Sequence, residues 1–216
     1  MLQPQLAFPQ SGLKILCLGA HCDDIEIGCG GTMLKLLESN RQVEVCWVVL
    51  TSTPQRKLEA EESAKRFLRN YSKNRVVIKD FRDGFLPYSG ETVKEYFETL
   101  KREFSPDLIF THHRSDLHQD HRLICDLTWN TYRNHFILEY EIPKYDGDLG
   151  HPNYFVQLQE SQLQEKITHL LDCFESQKAK SWFTDETFRA LARIRGIESS
   201  SPTGFAEAFH CRKIVM

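Results

Sequence analysis

The chain has 216 residues and a formal net charge of -3 with its nine histidines neutral. That length suffices for one domain with a substantial core, and the charge gives no basic face for non-specific nucleic-acid binding. Apolar residues make up 41% and charged residues 26%, an ordinary composition for a soluble globular protein, and no run approaches the roughly 18 apolar residues of a membrane span.

Residues 1–12 have neither a basic start nor a long apolar stretch, so they read as a short extension rather than a signal peptide. The domain is expected over residues 13–216. Its first element is an apolar strand over residues 13–19, followed by Ala20-His21-Cys22-Asp23-Asp24. A helix carrying Met33, Leu34, Leu36 and Leu37 comes next. Residues 43–51 form a near-continuous apolar run, the mark of a strand buried on both faces. Thr53-Pro54 then supplies a cap and first position for a helix with Leu58, Ala64, Phe67 and Leu68. A third strand is expected at residues 75–79. A third helix follows, with Val93, Phe97, Leu100 and Phe104, ended by Ser105-Pro106. Leu108, Ile109 and Phe110 mark a fourth strand at residues 107–111.

The second half is less regular. Residues 123–132 read as a helix, 139–151 as a loop, and 158–174 as a helix. A short helix at 185–195 is expected to stop at Gly196, and residues 205–215 alternate weakly as a last strand. The β-α-β-α order predicts a single α/β domain, a Rossmann-like, mostly parallel sheet with helices on both faces. In such sheets ligands bind beyond the carboxyl ends of the strands. The seven cysteines form no Cys-x-x-Cys pair, and Cys17 and Cys46 sit inside apolar runs, where cysteine acts as a small hydrophobe. Reduced thiols in a cytoplasmic protein are therefore expected.

Two polar clusters follow strands and should face one crevice: His21-Cys22-Asp23-Asp24 and His118-Gln119-Asp120-His121. His21 and Asp24 are three apart, as are His118 and His121, so each pair can point to one side of a turn. Catalytic zinc takes three protein ligands and keeps one position open. Any three of these four side chains can supply that set, leaving one residue over. A bound metal brings the pKa of its water to roughly 7. Asp23, beside a ligand, is placed to act as general base. A histidine left unligated can stabilise a tetrahedral oxyanion or protonate a leaving amine. Asp120 is expected to hold that histidine in its protonated form. Gly28-Cys29-Gly30-Gly31-Thr32 lacks the Gly-Lys-[Ser/Thr] ending of a phosphate loop, so its glycines read as close-packing positions.

These residues resemble the PIG-L/LmbE-like family of zinc-dependent N-deacetylases. That signature reads Ala-His-Pro-Asp-Asp, then Glu and Gly-Cys-Gly-Gly-Thr, with a later His-x-Asp-His. Here it stands as Ala20-His21-Cys22-Asp23-Asp24-Ile25-Glu26-Ile27-Gly28-Cys29-Gly30-Gly31-Thr32 and His118-Gln119-Asp120-His121-Arg122. The likeness covers nearly the whole chain, with Asp83-Gly84 and Phe205-Ala206-Glu207-Ala208-Phe209 as weaker points. It implies His21, Asp24 and His121 as zinc ligands, Asp23 as base, and His118 as oxyanion or acid residue backed by Asp120. It also implies a Rossmann-like fold and removal of an acetyl group from an N-acetylated amino sugar, free, nucleotide-linked or in a small conjugate. The same donor set accepts iron(II) or cobalt(II). Cys22 stands where the family has proline. Arg56 and Asp83 match substrate-side positions. Lys144 and Tyr145, with Asp148, lie on a polar loop of the kind that sets substrate choice.

One of His112 and His113 is expected to line the pocket. Trp182 and Phe183 belong either to its cover or, on the stronger reading, to the core. The missing membrane anchor argues against lipid-linked substrates, and association of identical chains is compatible with the sequence. Two other readings compete: hydrolysis of another amide or ester on the same site, and a Rossmann-like binding module without catalysis.

Overall fold

In the computed structural model, which describes residues 12–39, 42–69 and 73–215, the two most apolar runs become neighbouring strands. β1 (Leu13–Gly19) pairs in parallel with β2 (Val43–Thr51), with α1 (Asp24–Ser39) between them in the chain. α2 (Pro54–Leu68), β3 (Asn74–Phe81), α3 (Gly90–Glu103), β4 (Leu108–His112), α4 (Gln119–Thr131) and β5 (Phe136–Tyr140) continue the alternation. The chain closes with β6 (Tyr154–Gln157), α5 (Glu160–Cys173), α6 (Asp185–Glu198) and β7 (Ala206–Cys211). All seven strands join one sheet in the order β3-β2-β1-β4-β5-β7-β6, with β7 antiparallel to β5 and β6 and the other pairings parallel. Residues 1–11 of the expected extension lie outside the described residues. No helix among the described residues is long and apolar enough to cross a membrane.

Successive strand residues point to opposite faces, and the core divides accordingly. Ile15, Cys17, Val45, Trp47, Val49 and Phe110 face α1, α2, α5 and α6. Leu16, Leu18, Cys46, Val48 and Ile109 face α3 and α4. The β1 and β2 bounds agree with the sequence reading, and Thr53 caps α2 by accepting from the Arg56 N–H, with Pro54 in the first turn. Four features differ from the expectation. Residues 139 and 140 belong to β5, an unexpected strand; its Glu139 is buried but held by His113, Arg114, Trp129 and Arg212, so a carboxylate stands where an apolar residue would have marked a strand. β6 is a four-residue, half-buried edge strand with too short a pattern to see. α4 begins at Gln119, inside the second cluster, because His118 caps it. Gly196 does not stop α6, which runs to Glu198. A Cβ at Gly196 would lie 2.0 Å from the Gly204 carbonyl oxygen, so that glycine permits a close crossing instead.

The glycine-rich stretch lies within α1. A Cβ at Gly28 would fall 2.2 Å from the Tyr140 ring, so the helix can rest on β5 only with glycine there. The N–H groups of Gly31 and Thr32 donate to the two Glu207 oxygens at 2.8 and 2.6 Å. Lys166 in turn donates to the Ile27 carbonyl and to Glu207, both at 2.6 Å. An ideal helix would direct the Gly31 N–H to Ile27; here a buried ion pair from α5 and β7 meets both groups. Replacing Lys166 with Met strands the Glu207 charge in the core. Unfolding in urea should then lose about 3–5 kcal/mol of stability, and a variant as stable as wild type would show the pair to be dispensable.

Candidate metal and hydrolytic site

The strand order reverses direction between β1 and β4, the point at which doubly wound sheets bind ligands. Both polar clusters are loops leaving those two strands. The first turn is tight: the Asp24 carboxylate accepts from the His21 N–H at 2.6 Å, and the Ala20 carbonyl accepts from the Thr51 N–H and hydroxyl at the end of β2. The second cluster is shaped by Asp116, whose Oδ1 accepts from the His118 N–H at 2.8 Å.

Three donor atoms converge where the loops meet. His21 Nδ1 lies 3.1 Å from His121 Nε2 and 3.3 Å from Asp24 Oδ2, and His121 Nε2 lies 3.6 Å from Asp24 Oδ2. Bonds of 2.0–2.1 Å to a tetrahedral centre place ligand atoms about 3.3 Å apart, so this triangle has the size of a zinc-type face. The outer nitrogens support that assignment. His121 Nδ1 lies 2.8 Å from Asp116 Oδ2, which makes it the donor and leaves Nε2 with its lone pair toward the triangle. His21 Nε2 faces Asp83 at 3.1 Å and Asp120 at 3.4 Å, the carboxylate backing usual for a metal-binding imidazole. Burial raises the Asp24 carboxyl pKa, but His121, His112 and His21 outweigh it and hold Asp24 well below the usual carboxylate range. Burial and the neighbouring His112 push His121 down to about 3, so its imidazole is neutral and available as a ligand.

Around the triangle lies a cleft of about 180 Å³ lined by Asp23, Arg56, Asp83, His118, Tyr145 and Trp182, among others. Asp23 is buried and meets Arg56 at 2.9 Å; the same guanidinium reaches Asp83 at 3.2 Å. Burial raises the Asp23 pKa against the opposing pull of Arg56. His118 lies beside the ligand rings, 4.7 Å from that of His21 and 4.6 Å from that of His121. Its Nδ1 accepts from the Asp120 N–H at 3.2 Å, so the neutral ring carries its proton on Nε2.

The structure thus brings together His21, Asp23, Asp24, His118 and His121, with Arg56, Asp83, Lys144 and Tyr145 on the same cleft. It alters the expectation for Asp120. Its carboxylate accepts from Gly84 N–H at 2.8 Å and Leu86 N–H at 3.1 Å and faces His21; what it offers His118 is a backbone donor. Burial, with His21 next, lowers the His118 pKa against an opposing upward pull from Asp120. Cys22 points away from the triangle, its thiol donating to the Thr51 carbonyl at 3.4 Å. Of the two histidines ending β4, His112 stacks on His121 at 3.9 Å behind the site and accepts from the Ala20 N–H, while His113 turns to Glu139 and His210. Trp182 lines the cleft and Phe183 is core. Sequence reasoning missed Asp116; its signal was a carboxylate five residues before His121 in the loop after β4.

A Rossmann-like α/β domain with a two-histidine, one-carboxylate donor set at its topological switch point is the class that fold and site define. The chain belongs to the PIG-L family, described as GlcNAc-PI de-N-acetylase, which it matches over residues 16–132, more than half its length. It is 32% identical over 101 residues to a diacetylchitobiose deacetylase of Thermococcus kodakarensis, a match covering 42% of this chain and 37% of that one. It is 26% identical over 138 residues to the uncharacterized deacetylase YaiS of Escherichia coli, covering 60% and 74%. Among solved structures, the conserved protein TT1542 of Thermus thermophilus superposes with a TM-score of 0.74 at 21% identity, covering 94% of this chain and 96% of that one. The N,N'-diacetylchitobiose deacetylase of Pyrococcus horikoshii gives 0.65 at 24%, covering 94% and 85%. The 4-carboxy-2-hydroxymuconate hydratase GalB of a Pseudomonas gives 0.75 at 16%, covering 94% and 98%, so the fold alone does not select a reaction.

Asp120→Asn removes one anionic acceptor from the Gly84–Leu86 turn. The thermal midpoint should fall by an amount equivalent to about 1–3 kcal/mol, and an unchanged midpoint would show that the turn holds without it.

Proposed function

We propose that this protein is a metal-dependent N-deacetylase acting on an N-acetylated amino sugar. The observation that carries the reading is the triangle of His21, Asp24 and His121 beside a buried carboxylate and a neutral imidazole donor. Zinc suits that donor set, with iron(II) or cobalt(II) as alternatives. Bound there, the metal supplies a Lewis acid and makes water a nucleophile near neutral pH.

The chain's own residues supply the rest. Asp23 accepts the proton of the water that attacks the acetamide carbonyl carbon. Its buried setting makes it a stronger base than an exposed carboxylate, and Arg56 keeps it charged and fixed. His118 donates Nε2–H to the carbonyl oxygen as charge builds there; a neutral donor in a partly buried site needs no added proton for this. The proton held on Asp23 then passes to the departing nitrogen, the C–N bond breaks, and acetate and a free amine leave. Asp83, with its side chain 55% exposed, is placed to accept from a sugar hydroxyl, and Tyr145, 74% exposed, stands at the rim. The sugar assignment rests on the deacetylases named among the relatives. Seven free cysteines support a reducing, cytoplasmic setting.

Asp23→Asn should lower kcat by about 10²- to 10⁴-fold while the metal content stays at one ion per chain; near-normal turnover would remove Asp23 from the role of base. Removing Arg56 takes away the cation that holds Asp23 down. The acid limb of kcat/KM in Arg56→Met should therefore move to higher pH, since the base must lose its proton to act. A limb that stays put would separate Arg56 from Asp23. Acetate release from a panel of N-acetylhexosamines and their conjugates, run beside simple amides and esters, decides the substrate class.

A further inference from the structure

Lys144 comes from the irregular loop after β5, where a lysine would ordinarily reach for substrate. Its side chain is only 9% exposed. The ammonium has three donors, and three acceptors surround it: Asp116 Oδ2 at 3.0 Å, Asp148 Oδ2, and the Ile142 carbonyl at 3.4 Å. Two of the donors are met by hydrogen bonds to Asp148 and the Ile142 carbonyl, and Asp116 adds an ion pair. The loop bearing Lys144 is itself fixed. Arg195 on α6 forms two hydrogen bonds with Glu141, at 2.9 and 2.6 Å, and one with the Gly150 carbonyl at 3.2 Å, clamping both ends. Asp148 also accepts from the Leu117 N–H at 2.7 Å, which ties the loop to the turn carrying His118.

Asp116 Oδ2 is shared between Lys144 and His121 Nδ1. Asp116 is buried, and without Lys144 its carboxylate would face only the His121 imidazole and the His118 N–H, with no cation beside it. Lys144 lies 3.0 Å from the same Asp116 oxygen that accepts from His121 Nδ1, and so fixes the carboxylate that orients His121 with its Nε2 toward the triangle. We propose that Lys144 is a positioning residue for His121, acting through Asp116, and that it does not contact substrate. This rests on the reading of His21, Asp24 and His121 as a metal site.

The test is a double-mutant cycle on zinc affinity, measured by competition of the metal-free protein with a chromophoric chelator. Lys144→Met should weaken zinc binding by about 10-fold or more, the usual effect of losing a residue behind a ligand. Lys144→Arg should restore most of it. In an Asp116→Asn background Lys144→Met should add no further loss, and KM at saturating zinc should stay at the wild-type value. Zinc affinity within about twofold of wild type would overturn the proposal, and a raised KM alongside it would make Lys144 a substrate contact. Equal losses in both backgrounds would also overturn it, marking a general loosening of the loop. Unfolding midpoints of the metal-free variants check the fold; if Lys144→Met does not fold, Lys144→Gln takes its place in the cycle. Wild-type protein that binds no zinc would sink the metal reading as well, whereas wild type and Lys144→Met binding zinc alike would sink this proposal alone.

Discussion

The parallel pairing of β1 with β4 is the constraint on which the site depends. Ile15 lies opposite Leu108 in that register, so the loops that leave the two strands emerge side by side. Neither loop holds a complete donor set. His21 and Asp24 come from one and His121 from the other, and they meet at 3.1–3.6 Å only because the sheet brings the strands together. The cost of ordering such a cluster is met by the two core layers beneath it, which lock β1, β2 and β4 against helices on both faces.

Around that junction the chain buries several carboxylates, and those at the cleft have compensating partners. Asp24 faces three histidines, Asp116 faces His121 and Lys144, and Asp120 receives two backbone N–H groups. Farther back, Lys166 with Glu207 serves α1, and Arg195 with Glu141 closes the loop after β5. Buried pairs of this kind are weak contributors to net stability but costly to break. Their effect here is geometric: they fix rotamers and backbone where the chemistry requires fixed atoms.

Cys22 shows how the first turn manages without the proline that the family motif carries. Proline would restrict the backbone there directly. In its place the turn is fastened from outside, by Thr51 donating twice to the Ala20 carbonyl and by Asp24 accepting from the His21 N–H. The thiol is buried against the Thr51 carbonyl, and burial, opposed by Arg56, pushes its pKa up to about 12. It is a packing group and not a thiolate ligand.

Legibility in the sequence followed local pattern. β1 and β2 were readable because both faces are buried and each run is almost continuously apolar, broken only by Lys14 in β1 and by Glu44 and the terminal Thr51 in β2. α2 was readable because Thr53 and Pro54 carry its start in two adjacent residues. The residues of the donor triangle and Asp23 were readable as candidates because each half is a compact motif with spacing of three. β5 escaped because Glu139 is buried by partners from distant segments, and the run of α6 through Gly196 escaped because its reason is a crossing with Gly204. Asp116 escaped for the same cause, as did the true contacts of Asp120 and Lys144. The sequence by itself determined the β-α alternation of the first half and the two clusters that supply the proposed ligands, since those depend on neighbours a few positions away. Only the tertiary structure decided which atoms face one another, because a buried charge takes its role from partners that the chain supplies from elsewhere.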